Sequence, residues 1–281
     1  MKYLKKYKFI IERTDLEKKE EITILLENII DIIKNHYATI IDEILNGTIK
    51  PNDYINDDME LYSSAFEIPL KDFKFAIIVK KLNKKIKSAG TYEIIKGKYY
   101  LTLSLNELFD LIENVFFMNE KILPKLKNDL LSYNLDDEEY SIMFHELIHA
   151  KDDMKYDVFD SLRQACKKSN LPKIYNTGLN NIPNYDSKKD PIFMAEYDKV
   201  YSNLNVEYNG YFLTSVDRLL RKLNDKQIKW EQISDFDTFK DFFILLSDRF
   251  YNFYYKTEKY KKYYDKRMYD LYSKLKNKYE K

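Results

Sequence analysis

One stretch of β-branched and aromatic residues, 72–105, interrupts a sequence whose apolar residues otherwise recur at helical spacing. That contrast limits the chain to a mostly helical fold carrying one small sheet. DFKFAIIVKKL (72–82) and GTYEI…KYYLTLSL (90–105) read as strands, and Gly97-Lys98 sits where a hairpin would turn. Upstream, Ile22, Leu25, Leu26, Ile29, Ile30, Ile33, Tyr37, Ile40, Ile41 and Ile44 form one apolar stripe. They predict a single long helix over 15–46, stopped at Gly47. Residues 48–70 read as loop with at most a short helix. Residues 106–131 read as helix, capped at Ser104 or Asn106 and kinked at Pro124. Residues 137–155 are helical again. A loop rich in Pro and Asn follows at 169–192, and further helices are expected at 193–223, 236–255 and 257–279. The expected organisation is α+β and predominantly helical. It has an N-terminal helical region (1–70), a central domain (71–235) and a C-terminal helical region (236–281).

Composition removes several classes of function. The 281 residues carry 47 Lys+Arg against 46 Asp+Glu, so neither a globally basic nucleic-acid binder nor an acidic solvating chain is expected. The lone cysteine, Cys166, forbids an internal disulfide and a multi-thiolate metal site. The longest apolar run near the N-terminus is Phe9-Ile10-Ile11, too short for a signal peptide or a membrane span. The expectation is a soluble, cytoplasmic or virion-associated protein with no membrane partner.

Chemistry concentrates in YSIMFHELIHAKDD (140–153). Two of the three histidines of the chain, His145 and His149, stand four residues apart with Glu146 between them. On a helix they share one face, where two imidazoles can grip a zinc ion. Glu146 can then take a proton from a metal-activated water and pass it to a leaving amine. A third ligand is needed. His36 lies on the N-terminal helix, before the sheet, and reads as a polar position there. Asp152 is on the motif helix itself and one turn too far along. It fits an acceptor for a ligand histidine, or an alternative ligand at most. Glu196 and Glu207 compete on a later segment. Glu207 is favoured because Gly210, one turn on, would let two helices approach closely.

HELIHA followed by a downstream glutamate helix resembles the zincin metallopeptidases in their gluzincin-like arrangement. VYSNLNVEYNGYF also resembles the ExN(A/G) helix of small HExxH proteins encoded by phages and other mobile elements. The resemblance covers about residues 85–225. It implies a zincin-like fold over 71–235, in which a small sheet precedes the motif helix and a glutamate helix follows it. It implies one Zn2+ held by His145, His149 and Glu207, with Glu146 as general base. It also implies an edge strand that holds an extended peptide or protein substrate, here at Gly90, Thr91 and Tyr92. Tyr201, Tyr208 and Tyr211, near Glu207, are the candidates for an oxyanion donor. The sequence departs from the gluzincin pattern in spacing, since 57 residues lie between His149 and Glu207.

The leading expectation is a zinc endopeptidase. The alternative is a non-catalytic, zincin-like structural or assembly protein carried in a virion. Residues 254–281 are basic and rich in tyrosine. A terminal helix packing its tyrosine stripe is preferred there over a nucleic-acid surface.

Overall fold

In the computed structural model, Thr14 opens the first helix through a reciprocal cap. Its hydroxyl accepts from the Glu17 N–H at 3.2 Å, and its own N–H donates to the Glu17 carboxylate at 2.7 Å. Helix α1 runs Asp15–Leu45, and Gly47 ends it at φ 70°. The Thr48 N–H closes the last turn onto the Glu43 carbonyl at 2.9 Å. All ten residues of the expected stripe are buried. Each contributes about 1.5–3 kcal/mol of transfer free energy before chain entropy is counted. The structure describes residues 14–50, 65–68, 70–71, 73–81, 88–95, 97–117, 120–155, 205–256 and 258–280. The expected loop at 169–192, together with Cys166, Glu196 and Tyr201, lies outside them.

Two compact units divide the chain. One is Ile24–Met194, and the other joins Met1–Thr23 to Ala195–Lys281. The first holds the sheet. Strands β1 (Ala65–Ile68), β2 (Phe75–Lys80), β3 (Ser88–Ile95) and β4 (Lys98–Leu105) lie in the order β1-β2-β4-β3. β2 and β4 are parallel, and the other pairs are antiparallel. β3 and β4 form the expected hairpin, closed at Ile95–Lys98 with Gly97 at φ 81°. Among the described residues β3 is therefore an edge of the sheet. β1 corrects the reading of 48–70 as loop or short helix. It is only four residues long, and its place is fixed by antiparallel pairing with β2.

Helices α2 (Asn106–Phe117), α3 (Leu123–Ser132) and α4 (Asp137–Lys155) complete this unit. The single helix expected at 106–131 is two, with a 3-10 turn at Glu120–Ile122 between them. Pro124 starts α3 rather than kinking a longer helix, because its missing N–H costs nothing in a first turn. Ser104 is a strand residue, and α2 begins directly after β4. Ile77, Val79, Leu101 and Leu103 of the sheet are fully buried, as are Phe109, Ile112 and Val115 of α2. Phe66 packs between Phe109 and Phe116, and Tyr37 of α1 meets its edge. Lys127 bridges α3 to Asp42 of α1 at 2.7 Å.

The second unit is helical. It contains the first turns of α1 and helices α5 (Asn205–Asn224), α6 (Phe236–Leu245), α7 (Asp248–Lys256) and α8 (Glu258–Tyr279). The helix expected at 236–255 breaks at Leu246-Ser247, where the Ser247 hydroxyl accepts from the Phe250 N–H. Phe212 packs against Phe243, Phe250 and Tyr264 at the centre. The tyrosine stripe expected to pack along α8 does so only in part, since Tyr263 and Tyr269 are exposed. Tyr264 and Tyr272 are buried, and Tyr279 stacks on Trp230.

Ion pairs fasten α1 here. Lys19 reaches the fully buried Asp217 at 3.3 Å, and Arg221 holds the other oxygen of that carboxylate at 3.0 Å. Asp15 takes Arg267 of α8 at 2.6 Å. Burial disfavours the Arg267 charge, but the field and hydrogen bonds of Asp15 outweigh it and keep the guanidinium protonated. Among the described residues, no helix is long and apolar enough to cross a membrane.

Candidate metal centre

The helix that carries the histidines is fixed at its start by a second reciprocal cap. The Asp136 carboxylate accepts from the Glu139 N–H at 2.8 Å, and Glu139 accepts from the Asp136 N–H at 3.2 Å. The Tyr133 hydroxyl donates to the same Glu139 oxygen at 2.7 Å. Burial pushes the Glu139 carboxyl above the usual glutamate range, although both hydrogen bonds pull it down. This anchor is absent from the expectations above, yet Asp136-x-x-Glu139 before an apolar run is a legible signal for it.

Along α4, Met143, Leu147 and Ile148 are buried and hold the helix in place. The opposite residues then share a face. The Nε2 atoms of His145 and His149 face each other at 3.0 Å, with their rings nearly perpendicular at 87°. Two donors about 2 Å from one tetrahedral ion would stand roughly 3.3 Å apart, so this pair is close to ligand geometry. His149 is 4% exposed, which leaves little bulk water to compete for its ring.

Between the histidines in sequence, Glu146 lies under the sheet edge. A β-carbon built on Gly90 would stand 2.7 Å from Glu146 Cγ and 2.8 Å from Ile142 Cγ2. Glycine at 90 is what allows β3 to pass so close to the motif helix. Thr91 is exposed and Tyr92 half-buried on the same strand. Tyr92 packs edge-on to Phe75. The Thr91 hydroxyl donates to Glu93.

Glu207 sits in the first turn of α5 and is 2% exposed. The Tyr211 hydroxyl, one turn on, donates to its carboxylate. Burial, followed by the Glu207 charge, raises the Tyr211 hydroxyl above the ordinary tyrosine range. Arg249 of α7 donates to that hydroxyl at 3.3 Å and offsets part of the rise. Tyr208 instead stacks on Tyr264 within the helical core. Gly210 is buried, and its carbonyl accepts from the Thr214 hydroxyl at 2.9 Å.

One ligand atom from each of His145, His149 and Glu207 lies within 4.8 Å of the others, close enough together to hold a metal ion. Two imidazoles and a carboxylate suit zinc chemically. His36 is exposed on α1, against the neighbouring Tyr37 ring, and takes no part in this group. Asp152 is half-buried on the last turns of α4. No protein family, known protein or solved structure matches the chain.

Proposed function

We propose that the chain is a zinc-dependent peptidase whose single ion is held by His145, His149 and Glu207. The observation that carries this reading is the three-donor group made by the two histidines of the HExxH helix and Glu207 of α5, with Glu146 directly beneath a sheet edge. When bound, zinc would supply Lewis acidity that activates a water and polarises a peptide carbonyl. Glu146 accepts the proton of the attacking water and returns it to the departing amine. β3 offers backbone N–H and C=O groups to an extended peptide, which suits endopeptidase action. Tyr211 keeps its proton near neutral pH, and on substrate binding its hydroxyl turns from Glu207 to donate to the oxygen that gains charge. Its neighbour Arg249 orients that hydroxyl.

The test compares zinc content and cleavage of an unstructured polypeptide in two variants. Glu146→Gln should keep zinc and lose at least about 100-fold in hydrolysis, the low end for a general base. His145→Ala should lose both. Parent-level hydrolysis by the Glu146→Gln protein overturns the mechanism.

A further inference from the structure

Glu207 occupies the third position of α5, in the turn where helices have unfilled backbone N–H groups and fray most readily. A metal ligand placed there needs its turn held from outside. Arg267 of α8 does this by touching α5 at two points. Its Nη2 donates to the Asn209 side-chain carbonyl at 3.2 Å, and its guanidinium carbon lies 4.0 Å from the centre of the Phe212 ring. Asn209 and Phe212 are three residues apart and share a helix face, whereas Asn209 and Glu207 point about 200° apart. Arg267 thus grips the back of the turn whose front carries the ligand. Asp15 fixes the guanidinium in turn, accepting from Nη2 at 2.6 Å and Nε at 3.3 Å.

We infer that Asp15, Arg267 and Asn209 form a positioning chain that sets the Glu207 carboxylate for metal binding. This rests on the reading of Glu207 as a ligand. The arrangement requires arginine: only a flat fork can stack on Phe212 while donating in two directions. A second α1–α5 link, Lys19 to Asp217, lies almost three turns beyond Glu207 along α5. It supplies a comparison that fastens the same helices away from Glu207.

The experiment is a zinc titration against a chromophoric chelator, paired with thermal melting of the zinc-free full-length protein. Asn209→Ala should weaken zinc binding about 10–100-fold, as loss of a ligand-orienting partner does. Asn209→Asp keeps an acceptor for Arg267 and should stay within a few-fold of the parent. Arg267→Lys should weaken binding like Asn209→Ala, and combining the two should add little. Lys19→Met should lower the melting temperature while leaving zinc affinity unchanged. A parent that binds no zinc overturns the metal reading and this inference with it. A zinc-binding parent beside an Asn209→Ala protein of equal affinity overturns the inference alone. Equal losses in Asn209→Ala and Lys19→Met also overturn it, because the contact is then only structural.

Discussion

Gly90 and Glu146 approach so closely that a methyl group on the glycine would stand 2.7 Å from the glutamate Cγ. The sheet edge and the proposed general base therefore share one packing contact. Gly90→Ala must displace Glu146, Ile142 or β3. Such overpacking costs about 1–3 kcal/mol. The expected outcome is a lower urea midpoint together with a fall in kcat for peptide cleavage. An unchanged kcat in a folded Gly90→Ala protein would show that the glutamate tolerates the shift.

Metal removal should act on stability as well as activity. A ligand that binds only the folded chain stabilises it by about 2.7 kcal/mol at 100 times its Kd. Zinc should raise the melting temperature of the chelator-treated protein, and His149→Ala should abolish that rise. Magnesium at equal concentration should do far less, because it favours all-oxygen ligand sets.

The pH dependence has a definite sign at Glu139. Its folded-state carboxyl titrates above its unfolded value, with burial as the main cause. Its contribution is fully present below the unfolded pKa, about 4.3, and is lost as pH rises through the raised folded value. Glu139→Gln keeps an acceptor for Tyr133 and Asp136 but cannot ionise. Urea midpoints measured across mildly acidic pH should fall less steeply in Glu139→Gln than in the parent.

Removing the cap at the other end of that contact gives a separable effect. Asp136→Ala strips the acceptor from the Glu139 N–H and should cost about 1 kcal/mol of stability. Equilibrium denaturation reads the loss. Zinc affinity should stay near the parent value, since His145 lies more than two turns into the helix.

What could be read from residue order is what depends on local chemistry. The α1 stripe is long enough to average out noise, Gly47 and Gly97 sit where positive φ is required, and HELIH is compact. Gly210, unusual inside a helix, marks Glu207, which offers a ligand atom within 4.8 Å of those of the two histidines. Features set by partners distant in sequence leave no local trace. β1 exists through pairing with β2 and is too short to show a period. The break at Leu246-Ser247 has neither Gly nor Pro and depends on one hydroxyl. The grip of Arg267 joins residues 252 positions apart in the case of Asp15, beyond the reach of any local pattern.

The order β1-β2-β4-β3 leaves one side of β3 with no strand beside it among the described residues. An unpaired strand border cannot tell a foreign chain from a sister molecule. Self-association in concentrated preparations is the expected consequence of that openness, and light scattering against concentration checks it. A soluble peptide that docks along β3 should relieve it, so turbidity can report occupancy before any bond is cut.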